Sequence, residues 1–383
     1  MTADELRDSL EAFMAECVYP AEALFGQAVV GDDGARRPPV LDELQVEAKR
    51  RGLWNPFLGR RQSELTTLVA LTGRSPMLAT DALNLATPNS ENIKLLDRFG
   101  TAEQRATWLP GLLDGSATSG YCMTEPGVSG SDPMQMGTTL RRDGSDLVVD
   151  GAKHWCTGAG DPRCAVLVVA GVHDDGRHSL ALVPADAPGV AIEGGRTIFG
   201  YRDGYRGGRV SITFDNVRVP ATNVLGKEGD GLVLAQALLV PARLQHCMRL
   251  VGVGERSLEL MCGRAVARGF DGEGVVQDWI AESRIRLEYL RALVATTANE
   301  LDEGDDRVAA ANVAMLKGSA PANVEWIVDK AIQIHGADGF SHETPLALLW
   351  TYVRTLRVSD GPDEVHRRSV ARRELRDARR RVD

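Results

Sequence analysis

Residues 121 to 132 read YCMTEPGVSGSD, and this run stands where one texture of sequence gives way to another. Before it, from Asp4 to about Gly115, apolar residues recur at helical spacing in segments such as LDELQVEAKRRGLW and NIKLLDRFGTAEQRATWLPGLLDG, broken by Gly and Pro. After it, as far as about Gly226, come short β-branched runs: LVVDG, AVLVVAGV, SLALVPA, VAIEG and RVSITFDNVRVP. In the last of these Val210, Ile212 and Phe214 alternate with polar residues, as a half-buried strand requires. RRDGSD, HDDGR and DAPG supply the turns between runs. Beyond Gly226 the helical period returns: Leu244, Met248, Val251 and Leu258 fall on one stripe, and Ile280, Ser283, Leu287, Leu290 and Val294 on another. The sequence thus predicts a helical segment over 1–115, a β segment over 116–226 and a helical bundle over 227–383.

Composition narrows the function classes. The 383 residues are 43% hydrophobic and 25% charged, with a net charge of -9, the profile of an ordinary globular protein. The basic stretch RRSVARRELRDARRR is interleaved with acids and apolar residues and reads as a solvated helix face, so nucleic acid is not an expected partner. No run approaches the roughly 18 uninterrupted apolar residues of a membrane span. The start, MTADELRDSLEAFM, is acidic and amphipathic and does not read as a secretion signal, which makes a cytoplasmic location the expectation. Cys17, Cys122, Cys156, Cys164, Cys247 and Cys262 form no CxxC pair and have no histidine at metal spacing, so neither a disulfide framework nor a metal site is indicated.

Three clusters could carry chemistry. In 121–132 the small residues Gly127, Ser129, Gly130 and Ser131 would let backbone N–H groups approach a phosphate, and Thr124 offers a hydroxyl to a heterocycle edge; the same residues also make an ordinary polar loop. In GAKHWCTGAG, residues 151–160, Trp155 and Thr157 share a face if a strand continues through them, which suits a bound ring system or plain core packing. No GxGxxG occurs, so a dinucleotide would not be held by a Rossmann turn. In SDGPDEVHRR, Asp360 could cap the last helix or act as a base, the latter only if burial next to a ligand raises its pKa above the unperturbed value of about 3.9.

Taken in this order, the three clusters resemble the acyl-CoA dehydrogenase family over nearly the whole chain. That family's flavin signature, aromatic-x-x-Thr-Glu-Pro-x-x-Gly-Ser-Asp, is similar to YCMTEPGVSGSD, and its Gly-x-Lys-x-Trp-x-Thr to GAKHWCT; FDNVRVPATNVLG looks like its closing strand. GPDEVH, ARLQHCMRL and AIQIHGADG look closest to the branch of family members ten and eleven, which is associated with branched or 4-hydroxylated acyl chains. The resemblance implies a helical N-terminal domain, a middle β-barrel or β-sandwich and a C-terminal four-helix bundle. It also implies FAD and a homo-oligomer, dimer or tetramer, acting in fatty acid metabolism with electron-transferring flavoprotein as a partner. Carried over residue by residue, Met123 and Thr124 would meet the flavin pyrimidine edge and Ser131 its pyrophosphate. Trp155 would pack on the ring and Thr157 would bond near N5. Arg268, Phe270, Gln333 and Gly336 would reach a neighbouring subunit's FAD, and Ser131, Arg243 and Gly361 would contact substrate.

The same resemblance makes Asp360 the catalytic base, where most of the family has a glutamate in Glu-Gly-Thr. It would take the α proton of an acyl-CoA thioester while flavin N5 takes the β hydrogen as hydride, giving the trans-2-enoyl-CoA. The family's second base position falls on Ala242, before Arg243, and is empty of an acid here. Two further departures stand out: Ala337 replaces the second glycine of Gln-x-x-Gly-Gly, and ARGFDGEGVVQDW is several residues shorter than the family loop after Arg268. Carrier-protein-bound acyl thioesters, or oxygen-using oxidase or monooxygenase chemistry on the same fold, are the competing expectations. Arg202, Arg206 and Arg209 could meet an anionic group or remain solvated.

Overall fold

The structure is a computed structural model that describes residues 2–30, 37–201 and 206–382. Arg202 lies outside the described residues. Along the chain come helices α1 (Ala3–Phe13), α2 (Tyr19–Val30), α3 (Pro39–Arg50), α4 (Gln62–Gly73), α5 (Leu78–Ala82), α6 (Asn89–Phe99) and α7 (Ala102–Asp114). Strands follow: β1 (Thr118–Cys122), β2 (Thr139–Asp143), β3 (Asp146–Thr157), β4 (Cys164–Val172), β5 (His178–Pro184), β6 (Val190–Arg196) and β7 (Arg209–Pro220). The chain then returns to helix in α8 (Gly231–Arg268), α9 (Gly274–Glu303), α10 (Asp306–His335), α11 (Leu346–Leu356) and α12 (Asp363–Val382). No helix among the described residues is long and apolar enough to cross a membrane.

By packing, the chain falls into two units. One comprises Met1–Gln27, Asp42–Leu83 and Val240–Asp383 and is helical. Its elements begin and end where local chemistry dictates. Thr2 and Glu5 form a reciprocal capping box on α1, Gly304 ends α9 at φ 81°, and the Asp305 carboxylate accepts from Val308 N to start α10. The stripes read from the sequence face inward: Leu244, Met248, Val251, Leu258, Leu287, Leu290 and Val294 are all buried. Helix α10 packs against α9, α11 and α12. Helices α4 and α8 cross so closely that a methyl group built on Gly252 would overlap the Ala70 carbonyl oxygen, and one on Gly73 that of Arg249.

The other unit, Ala28–Leu41 and Asn84–Leu239, carries the sheet. Its strand order is β1-β4-β2-β3-β7-β6, with β5 beside β4. Because β1 also pairs with β3, the pairings β1–β4–β2–β3–β1 close a circuit, a barrel-like arrangement that leaves those four strands few free edges. Leu147, Val149, Leu167, Val169, Val210, Ile212 and Phe214 fill its interior. The pairing of β3 with β7 shifts register between Lys153 and Cys156, so that Trp155 stands at a bulge with φ 58° rather than in regular alternation with Thr157.

Backbone-to-backbone contact at Gly252 leaves no side chain to give way. We expect Gly252→Ala to destabilise the protein by about 1–3 kcal/mol, seen as a lowered Tm in thermal denaturation followed by circular dichroism.

Candidate active site

In the β unit the YCMTEPGVSGSD and GAKHWCT runs are tied together by one ion pair, whose lysine is buried. Lys153 is 1% exposed, and its Nζ donates to Glu125 Oε1 at 2.8 Å and to the Met123 carbonyl at 3.0 Å. The Glu125 carboxylate also accepts from Thr138 N at 2.9 Å and Gly137 N at 2.6 Å. Burial pushes the Lys153 ammonium down, opposed by Glu125. Burial would raise the Glu125 carboxyl, but the bonds from Lys153, Thr138 and Gly137 hold it below the usual range. The backbone adds His154 N to Thr124 O at 2.8 Å. The loop after β1 is therefore anchored to the very strand that presents Trp155.

Trp155 is 47% exposed, and the Arg196 guanidinium lies 5.3 Å from its ring centroid. Arg209, paired across the sheet with Thr157, donates to the Thr157 hydroxyl oxygen, so the hydroxyl proton is directed elsewhere as a donor. Gly130 folds back over Thr124, where a Cβ would come within 2.9 Å of Thr124 Cγ2, and the Ser129 and Ser131 hydroxyls lie 3.0 Å apart in the exposed loop. An exposed indole, a hydroxyl with an oriented proton and a small-residue loop suit a flat heterocycle with a phosphate tail, so these residues fit a flavin dinucleotide. Cys164 and Cys247, with thiols pushed up to about 12 by burial, serve as small core groups rather than nucleophiles.

In the helical unit Asp360 sits on the turn between α11 and α12, and several side chains hold that turn. Lys317, 0% exposed on α10, donates to Leu356 O at 2.6 Å and Ser359 O at 2.9 Å. Arg243 on α8 donates to Asp360 O at 2.9 Å, and His366 Nε2 on α12 lies 3.2 Å from the same oxygen. Asp360 and Gly361 both take positive φ, 57° and 96°, and a Cβ on Gly361 would come within 2.8 Å of His366 Nε2. A left-handed aspartate costs roughly 1–2 kcal/mol, and it persists because its surroundings fix it. Its carboxylate does not cap α12; Oδ2 meets His246 Nε2 at 2.9 Å. The sequence asks for a carboxyl raised by burial, and the structure gives the opposite: burial would raise it, but His246, Lys317 and Arg243 together hold it well below the usual carboxylate range.

Residues 120–217 match the family described as acyl-CoA dehydrogenase, middle domain, and residues 229–375 the one described as acyl-CoA dehydrogenase, C-terminal domain. The probable acyl-CoA dehydrogenase FadE2 of Mycobacterium tuberculosis is 44% identical over 97% of this chain and 95% of its own. The chain belongs to the acyl-CoA dehydrogenase family. A solved structure of a putative acyl-CoA dehydrogenase from Mycobacterium abscessus superposes with a TM-score of 0.93 at 37% identity, covering 98% of each chain. Rat acyl-CoA dehydrogenase family member 11 is 40% identical over 99% of this chain, which spans about half, 51%, of that protein. The resemblance to the branch of members ten and eleven, and the helix–sheet–helix fold it implied, therefore stand.

Within this acyl-CoA dehydrogenase the site residues fall into separate groups. Met123, Thr124, Ser131, Trp155 and Thr157 lie together on the β unit, whereas Arg243, Asp360 and Gly361 converge in the helical unit. Gln333 and Gly336 are exposed at the end of α10, with Gly336 at φ 63°, and Arg268 and Phe270 are exposed where α8 ends. Sequence reasoning missed His246, Lys317, His366 and the Glu125–Lys153 pair. A signal existed for the first: Arg243, His246 and Arg249 recur at three-residue spacing on an otherwise apolar helix face, where buried polar groups need partners.

Burial, then the nearby positive Arg243, pushes the His366 imidazole from 6.5 down to about 4. The unfolded chain binds that proton as pH falls through about 6.5, whereas the folded protein refuses it until about 4. Stability is therefore lost across this window on acidification. We expect Tm to fall between these pH values, and His366→Gln to flatten the fall when Tm is measured by scanning fluorimetry.

Proposed function

We propose that this protein oxidises the α,β carbon–carbon single bond of an acyl-CoA thioester to the trans-2-enoyl-CoA, with Asp360 as the base. The observation that carries this reading is the Asp360 turn: a carboxylate on a left-handed residue, held by Arg243, Lys317, His366 and His246 from three different helices. Acyl-CoA dehydrogenases are FAD-dependent oxidoreductases, and FAD, when bound, supplies the acceptor for the β hydrogen as hydride. The residues that would hold it are Met123, Thr124, Ser131, Trp155 and Thr157, with Arg268, Phe270, Gln333 and Gly336 offered to a second subunit's cofactor.

Asp360 is ready as a proton acceptor because it stays ionised through neutral pH. Its low basicity is tolerable when proton removal is coupled to loss of the β hydrogen, so that the α carbon never carries a full negative charge. The backbone N–H of the base and Arg243 and Gly361 beside it provide contacts for the thioester. Branched and 4-hydroxylated acyl-CoAs are the substrates to try first. The same reading gives a homo-oligomer, dimer or tetramer, that works in the cytoplasm in fatty acid metabolism and passes electrons to electron-transferring flavoprotein.

Anaerobic titration of the purified flavoprotein with acyl-CoAs of graded length and branching tests the reaction: bleaching of the flavin absorbance by one thioester is expected. Bleaching only by carrier-protein thioesters would move the substrate to a carrier, and peroxide release with oxygen would make the enzyme an oxidase. Asp360→Asn should lower kcat by about 10²–10⁴-fold at unchanged FAD content; turnover that survives it would remove Asp360 from the base's role. Trp155→Ala should weaken FAD binding by roughly tenfold, read as loss of flavin on dialysis.

A further inference from the structure

His246 lies on α8, is 7% exposed, and has both ring nitrogens engaged. Nδ1 is 3.2 Å from Arg249 Nη2, and Nε2 is 2.9 Å from Asp360 Oδ2. A guanidinium can only donate, so Nδ1 must accept; in a neutral imidazole the proton then sits on Nε2 and is donated to the carboxylate. Arg249 cannot swing away easily, because it is itself buried and its Nε donates to Tyr352 Oη at 3.2 Å. Burial, reinforced by the charges of Arg249 and Lys317 and opposed by Asp360, pushes the imidazole down, which favours the neutral form this pattern needs.

We propose that His246, held in its Nε2–H tautomer by Arg249, is the positioning residue of the base: it engages Oδ2 of Asp360 and so makes Oδ1 the oxygen that receives the α proton. The inference rests on the reading of Asp360 as the base. In the step, the α C–H bond breaks and an O–H bond forms at Oδ1. The released electron pair becomes the second carbon–carbon bond as the β hydrogen leaves, with its bonding pair, for the flavin. His246 does not relay the proton onward, since its only acceptor nitrogen is occupied by Arg249. The other charged and titratable groups facing Asp360, namely Arg243 on α8, Lys317 on α10 and His366 on α12, hold the backbone of the turn through its carbonyls. His246 meets the carboxylate itself. An aspartate is one methylene shorter than a glutamate, and a fixed donor on one oxygen aims the other without requiring the longer side chain.

The test uses 3-thiaoctanoyl-CoA, whose sulfur acidifies the α proton and replaces the β carbon, so that proton loss is not followed by hydride transfer. The enolate is read by its long-wavelength charge-transfer absorbance against oxidised flavin, as a function of pH. His246→Ala removes the donor that favours the ionised carboxylate, so the band's midpoint should move up by about one pH unit or more. The kcat for the preferred acyl-CoA should fall by about tenfold with KM little changed. His246→Gln, whose amide can accept from Arg249 and donate to Asp360, should restore the midpoint. A His246→Ala protein with the wild-type midpoint and kcat overturns the proposal, as does a folded His246→Gln protein that behaves like His246→Ala. In the ¹⁵N-histidine spectrum of the wild type, His246 should be neutral and protonated on Nε2 at pH 7; an imidazolium or an Nδ1–H form overturns it as well. Failure of the underlying reading has a different signature, namely a charge-transfer band that persists in Asp360→Asn.

Discussion

Lys317 is the group on which the helical half of the site depends. It is fully buried, and it donates to two carbonyls of the segment that leads from α11 into Asp360. An ammonium in such a place is costly unless its protons are all used, so the lysine fixes the path of the backbone as firmly as the backbone solvates the lysine. Arg243 and His366 then take the Asp360 carbonyl, and the aspartate is left in a left-handed conformation that no isolated peptide would favour. The side chain of Asp360 thus projects from a backbone whose geometry is determined by three other helices. Positioning of this kind costs nothing at the moment of reaction, because the donors were arranged when the chain folded.

The β unit solves a parallel problem with a parallel device. Its loop after β1 is rich in small and polar residues and has little apolar surface of its own to bury, so packing alone would leave it loose. Glu125 folds the loop back onto two backbone N–H groups, and Lys153 reaches from β3 to meet it. The bulge at Lys153 and Cys156 serves the same end, turning Trp155 outward from a strand whose neighbours Lys153 and Cys156 are buried. In both units a charged side chain shielded from water sets the position of a different, more exposed residue.

Much of this was legible in the sequence, for identifiable reasons. The change from 3.6-residue to two-residue periodicity is strong where Val210, Ile212 and Phe214 alternate, and it returns to helix where Leu244, Met248 and Val251 fall on one stripe. The resemblance of two short signatures carried the family. What could not be read was every interaction that depends on distant residues meeting. His246 and Asp360 are more than a hundred positions apart, as are Arg243 and Asp360, and nothing local to either predicts the encounter. The partners of Lys153 leave no local sign in the run that holds it, and the shared face expected of Trp155 and Thr157 overlooks a bulge, because a one-residue slip in register leaves no mark in composition.

The Glu125–Lys153 pair also bears on how such a protein can change over generations. Losing Glu125 alone strands the Lys153 ammonium away from water, whereas exchanging both for neutral residues of similar shape removes that penalty. A single substitution of Glu125 therefore leads into a valley of reduced stability, which a coupled double change avoids.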